Sequence, residues 1–214
     1  MTEPGHDEAL KKAVIEAALA RAAAEGFNDA LLCHAAEDAG VKDIARLFPG
    51  GVLDLIEAYS AGVDAEMEQR LSELKLSSQS IRRRIKTAIK TRLAIFKPHK
   101  EAVRRAVAFL ALPPNAPTGA KLVYRTVDSM WRAVGDHATD FSFYTKRGTL
   151  AAVYSATLLR WLADAGAHES ATGAFLDARL ENVMQAEKLK GRLRAGAKAG
   201  LARLSGLVRA APFR

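Results

Sequence analysis

The side chains in this sequence that could do chemistry are five histidines, His6, His34, His99, His137 and His168, a single cysteine, Cys33, and the acids that fall near them. The densest grouping is Asp136, His137 and Asp140, where two carboxylates and an imidazole could hold a divalent cation or move a proton. The trio stands just before a helical pattern, where short acids accept hydrogen bonds from free helix N–H groups. It therefore reads as capping or surface-turn residues. The histidines are widely separated, and none falls into HExxH or a similar close ligand spacing. No GxSxG, Walker loop or dinucleotide glycine fingerprint occurs, and PGG at 49–51 reads as a turn and helix start. One cysteine excludes an intrachain disulfide and supplies too little sulfur for a cysteine metal site. Its apolar neighbours predict a small buried side chain on a helix. The expectation is a protein with no catalytic residue, no metal and no cofactor.

What must position these residues is a largely helical chain. Its 214 residues suit one sizeable core, and 49% hydrophobic against 26% charged residues places it among folded proteins. Alanine runs such as LARAAAEG favour helices and permit close helix contacts. ALKKAVIEAALARAAAEG is a first helix with Val14, Ala18 and Ala22 on one side, ended at Gly26. Asn28 or Asp29 caps the next, which stops at Gly40, and a brief KDIARLF precedes a helix from about Val52 to Leu71. Long, short, short, long is the order of a helix-turn-helix head. The third piece is too short to present much to base edges, so nucleic-acid binding by this head is not expected.

The formal charge of +8 is unevenly spread. From Ile81 to Arg105 ten Lys or Arg residues face one acid, Glu101, and from Gln185 to Arg214 eight face Glu187. Such blocks attract polyanions, either nucleic acid or an anionic membrane. Ile81, Ile85, Ile89 and Leu93 give the first block one apolar stripe, and its charges read as a solvated face. Pro98 is expected to push Lys97 out of helical geometry and separate two helices at KPH. In the last block Leu189, Leu193, Leu204, Leu207 and Val208 fall on one arc of a helical wheel, with Arg194, Lys198 and Arg203 mostly opposite. This is the pattern of a reversible interfacial anchor, although its apolar side could dock to the protein body instead.

Between the basic blocks lie the most apolar helices. AKLVYRTVDSMWRAVG groups Val127, Met130, Trp131 and Val134, and YTKRGTLAAVYSATLLRWLAD places Leu150, Tyr154, Leu158 and Trp161 along one face. Core packing accounts for any one of these side chains. Together they also suit an apolar pocket for a long isoprenoid or acyl chain. The expected organisation is a helical head over 1–70, a ligand-binding and dimerisation region over 71–184 and a basic amphipathic tail over 185–214. No stretch approaches 18 uninterrupted apolar residues and no basic apolar signal peptide opens the chain. That predicts a cytoplasmic protein, peripheral at the inner face of the membrane, or one on the mitochondrial matrix side if a targeting segment was removed.

The segments MWRAVGD, TDFSFYTKRGTLAAVYSATLLRWLAD and TGAFLDARLENVM, with FLALPPNAP, AEDAG and LFPGG, closely resemble the COQ9 family of ubiquinone-biosynthesis proteins over nearly the whole chain. The resemblance implies an all-α, TetR-like helical bundle with a degenerate helix-turn-helix head and an amphipathic C-terminal helix, forming a homodimer. It implies a non-catalytic protein that binds isoprenoid or quinone lipid and presents an intermediate to a COQ7-type di-iron hydroxylase. It places Phe143 and Tyr144 in a partner-docking patch where better-described relatives carry tryptophan followed by tyrosine. Phe143 keeps an aromatic face and lacks the indole N–H. The alternatives are a TetR-like DNA-binding transcriptional regulator and a general membrane-associated lipid-binding scaffold.

Overall fold

Small side chains and well-placed caps build the head. The computed structural model describes residues 4–135, 142–165 and 169–185, with the backbone alone at 142–144. Helix α1, Pro4–Glu25, buries Val14, Ala18 and Ala22 completely, so α2, Asp29–Asp38, lies close against it. Asn28 joins them: its Oδ1 accepts from the Leu31 N–H at 2.9 Å, and its Nδ2 donates to the Glu25 carbonyl at 2.9 Å. The inward face of α2 is Leu31, Leu32, Ala35 and Ala36. Cys33 falls outside that arc and is exposed, which corrects the expected burial. The third element, α3, is the single turn Ile44–Leu47, capped by Asp43.

Helix α4, Val52–Ser72, is the spine of the molecule. Val52, Leu55 and Ile56 belong to the head core, with Ala102, Ala106 and Leu122 packed on the same cluster from later in the chain. Val63, Met67 and Leu71 belong to a second core. The expected 70/71 boundary thus falls in the last turn of a helix shared by both clusters.

The second core is enclosed by α5, Ile81–Phe96, α6, Lys100–Leu110, α7, Ala116–Ala133, α8, Ser142–Ala163, and a ninth helix, α9, over 170–185. Among the described residues the nine helices named here are α and no strand occurs. A 3-10 turn, Lys97–His99, joins α5 to α6. Lys97 keeps helical angles (φ −54°, ψ −43°), contrary to the restriction expected before Pro98, and the bend falls at His99 (φ −116°, ψ 29°). Proline opens the new turn, where its missing N–H leaves no helical bond unmade.

The inward face of α5 is Ile85, Ala88, Ile89, Arg92, Leu93 and Phe96. Ile81, expected on this stripe, is 45% exposed because it precedes the turn that enters the core. Nor are the charges of α5 merely a solvated face. Arg82 reaches Glu181 and Lys86 reaches Asp177 on α9, while Arg84 donates to the carbonyls of Ser77, Gln79 and Val134. From α6, Lys100 and Arg104 donate to the carbonyls of Asp164 and Leu162, satisfying the C-terminal end of α8. Asp136, His137 and Asp140 lie outside the described residues, as do the tail positions Leu189, Leu193, Arg194, Lys198, Arg203, Leu204, Leu207 and Val208.

Two glycines of α4 should respond oppositely to alanine. Gly62 is exposed in mid-helix and nothing lies within 4 Å of an added Cβ, so Gly62→Ala should stabilise the fold by about 0.5–1 kcal/mol. Gly51 precedes the helix at φ 66° and ψ −137°, so Gly51→Ala should destabilise it by about 1–3 kcal/mol. Urea denaturation midpoints of the two variants check both signs.

Candidate functional site

At the centre of the body sits a buried charge. Arg92 is 2% exposed, and all three of its guanidinium nitrogens are engaged. Nε donates to Asp64 Oδ1 at 2.7 Å, Nη2 donates to the Ser60 hydroxyl at 3.0 Å, and Nη1 donates to the Tyr154 hydroxyl. Thr126 donates to the same Asp64 carboxylate at 3.0–3.1 Å. The flat face of the guanidinium lies 4.4 Å from the Phe96 ring centre. Burial opposes the charge on Arg92, but Tyr154 and Asp64 outweigh it and hold its pKa above the ordinary arginine value. Burial raises Tyr154 against the pull of Arg92, and burial likewise pushes Tyr59 up to about 12.

Beside this cluster an apolar cavity of about 90 Å³ is lined from α4, α5, α6, α7 and α8. Ile56, Arg92, Phe96, Val103, Leu122, Thr126 and Tyr154 form its buried floor. Val107, Leu110, Gly119, Val123 and Leu158 are partly exposed and mark its rim. Gly119 and Val123 also line an outer groove of about 460 Å³ with Tyr124, Gly148, Ala151 and Ser155, on α7 and α8. A polar groove of about 370 Å³ between α4 and α7 lies on the other side of Ser60 and Asp64. Its charges are paired: Glu57 accepts from Arg125 at 3.1 Å, and Arg132 lies 3.2 Å from Asp128.

Of the eight side chains expected to line a pocket, Tyr154 and Leu158 do so. Val127, Met130, Trp131, Val134, Leu150 and Trp161 are packed in the body core and line none of these three spaces. Phe143 and Tyr144 stand in the first turn of α8, and their side chains lie outside the description. Sequence reasoning missed Arg92, Ser60, Asp64 and Tyr59. The available signal was register: Arg92 follows Ile85 by seven residues and Ile89 by three, on the apolar stripe itself. Among the described residues no three His, Cys, Asp or Glu side chains group to hold a metal, and no helix is long and apolar enough to cross a membrane.

The COQ9 family model matches residues 116–187, which include α7, α8 and the described part of α9. The chain is 28% identical over 186 residues to the ubiquinone biosynthesis protein COQ9, mitochondrial, of Homo sapiens, covering 83% of this chain and 58% of that protein. It is 31% identical over 192 residues to the COQ9-B protein of Xenopus laevis, covering 83% and 64%. The chain therefore spans about three-fifths of the length of the curated relatives it matches. A TetR transcriptional regulator from Nitrosomonas europaea superposes with a TM-score of 0.66 over 81% of this chain and 97% of that one. At 20% identity, that likeness shows a TetR-like fold.

Removing both members of the central ion pair should cost less than the sum of removing each alone. Arg92→Met or Asp64→Asn alone should each destabilise by about 3–5 kcal/mol, because the remaining group is buried without its partner. The double variant should lose at least about 1 kcal/mol less than the sum, read from a urea double-mutant cycle. Alkali provides a second check. Tyr59 and Tyr154 are neutral in both folded and unfolded chain well below pH 10, and above it the unfolded chain ionises first. Stability should be insensitive to these two groups up to about pH 10 and fall from there toward pH 12, in step with late phenolate absorbance.

Proposed function

We propose that this chain, which belongs to the COQ9 family, is a non-catalytic accessory protein of ubiquinone biosynthesis that binds an isoprenoid lipid and presents a quinone intermediate to a COQ7-type di-iron hydroxylase. The observation that carries the reading is the apolar cavity lined from five helices, beside an outer groove on α7 and α8 that shares Gly119 and Val123 with it. The cavity itself is smaller than an engineered 150 Å³ pocket that takes benzene, and has room for about one isoprene unit. The rest of a prenyl chain lies along the groove. Each methylene removed from water contributes about 0.8 kcal/mol.

Docking to an anionic membrane completes the reading. Leu74, Ile81 and Met184 are large, apolar and exposed. They gather at one end of the bundle, because Arg82 beside Ile81 bonds to Glu181, one turn before Met184. Lys75 and Arg83 are exposed at the same end, and the basic amphipathic segment over 185–214 continues from it. Apolar side chains ringed by cations suit an anionic bilayer surface. The protein then sits peripherally on the inner face of the cytoplasmic membrane, or on the matrix side of a mitochondrial membrane, as the names of its relatives suggest. A homodimer is part of the proposal, and so is the docking role of Phe143 and Tyr144. Against a DNA-binding regulator stand the single-turn α3 and Arg46, whose guanidinium is held by Asp7 at 2.6 and 2.8 Å.

Native mass spectrometry of the gently purified full chain should report a prenyl lipid and a dimer, and the chain should float with phosphatidylglycerol vesicles but not with phosphatidylcholine vesicles. Deleting the gene should make a quinone intermediate accumulate. Absence of bound prenyl lipid together with unchanged quinone precursors would defeat the proposal. A sequence-selective duplex shift whose log affinity falls steeply with log salt would favour the regulator instead.

A further inference from the structure

We propose that the turn between α6 and α7, residues 111–117, dips into the headgroup boundary of an anionic bilayer, beside the rim of the cavity. It rests on the membrane-docking part of the reading above and deepens it with a second point of contact.

From Ala106 to Ala120 the chain carries no charged side chain, although 26% of its residues are charged. Ala111, Leu112, Pro113, Pro114, Ala116 and Pro117 are exposed, Leu112 by 51%. Runs of exposed apolar side chains are avoided in turns that meet only water. The turn follows directly on Val107 and Leu110 of the cavity rim and leads into Gly119 and Val123. Two more large exposed apolar side chains, Tyr124 and Leu159, stand next in sequence to the rim residues Val123 and Leu158.

The backbone of the turn suits surroundings poor in water. The N–H groups of Ala111 and Leu112 donate to the carbonyls of Val107 and Phe109 at 3.0 and 3.3 Å, and those of Asn115 and Ala116 both donate to Leu112 at 2.9 and 3.0 Å. Pro113, Pro114 and Pro117 have no N–H, so no backbone donor from 111 to 117 lacks a partner when water is removed. Asn115 is the one polar side chain of the turn, and its Nδ2 donates to the Phe109 carbonyl at 3.0 Å. The flanks supply attraction to anionic lipid. Arg104 and Arg105 share Glu101, and Lys121 and Arg125 share Glu57, so each carboxylate answers two cations and the rim stays net positive. Helix α8 adds Lys146, Arg147 and Arg160 and contains no acid. An apolar tip within a cationic rim fits an anionic bilayer. The 18 residues of α7 run about 27 Å from this turn to the end that carries Ile81, where Val134 accepts from Arg84. Contact at both points lays α7 along the bilayer and brings the cavity rim to its surface.

The test uses the full chain and phosphatidylglycerol vesicles. A Leu112→Cys variant in a Cys33→Ser background, labelled with nitrobenzoxadiazole, should brighten and shift to the blue when vesicles are added, and nitroxide-bearing lipid should quench it. The same label on the native Cys33, exposed on α2, should do neither. Leu112→Glu, at an exposed site that the fold tolerates, should weaken partition to the vesicles about tenfold. Flotation of the protein with an unchanged label at Leu112 overturns the proposal and leaves docking to the other end of the bundle alone. Loss of the dimer in native mass spectrometry on Leu112→Glu, with the label again unchanged by vesicles, overturns it in favour of a second copy seated on the turn. Failure to float at all removes membrane docking and this proposal together. A brightened Leu112 label on a protein that retains no prenyl lipid sustains the proposal while the lipid-binding reading falls.

Discussion

A single guanidinium buried where four helices meet constrains the rest of the body. Arg92 comes from α5, Ser60 and Asp64 from α4, Thr126 from α7 and Tyr154 from α8, and each is joined to the cluster by a hydrogen bond. A buried charge tolerates little displacement of its partners, because a lengthened bond leaves charge unsolvated in a low dielectric. The helices are thus held at a separation set by polar geometry rather than by closest apolar packing. The cavity against Phe96 and Leu122 is the space this spacing leaves. Apolar walls alone could collapse inward; here the Arg92 cluster resists that collapse.

The head combines a TetR-like fold with a third helix of a single turn. The order α1 to α4 is that of a TetR-like regulator, yet α3 is one turn long and its arginine pairs back to α1. Arg21 is likewise bound to Asp38 through two bonds of 2.6 and 2.9 Å. These pairs are exposed and contribute little stability individually. Their effect is to neutralise cations that a phosphate backbone would otherwise attract. The head meanwhile packs on Ala102, Ala106 and Leu122, so it braces the first half of the cavity's lining.

Local signals made the helices legible. Asn28, Asp43 and Ser80 cap their helices as their types predict, and Gly26 and Gly40 take positive φ just beyond helix ends. Side chains whose placement depends on distant partners were not legible. Arg92 looks like one more cation in a basic block, and only Asp64, 28 residues earlier, makes its burial tolerable. Cys33 was misplaced on a helical arc and Ile81 along the helix axis, errors that apolar neighbours invite. The cavity was the hardest feature, because a void belongs to the arrangement of helices rather than to any one of them. Tyr154 and Leu158 were foreseen; Ile56, Val103, Val107 and Leu110 lie on α4 and α6, whose packing against α8 no local period encodes.

The same division of labour bears on how a long guest could enter a small space. The floor of the cavity is tied by charge-assisted bonds, whereas its rim consists of Val107, Leu110, Val123 and Leu158, side chains that can form no hydrogen bond across the seam. Parting such a rim exposes aliphatic surface at about 25 cal/mol per Å², and a prenyl chain laid between the helices covers it again. Opening the floor would instead unpair Arg92 and Asp64, with no compensation from an uncharged guest. Gly119 sharpens the contrast, since a Cβ there would sit 3.4 Å from the Leu110 carbonyl oxygen and Cβ, so the α7 backbone lies close against the end of α6. On the lipid-binding proposal, the aliphatic rim is the side whose parting breaks no hydrogen bond of the Arg92 cluster.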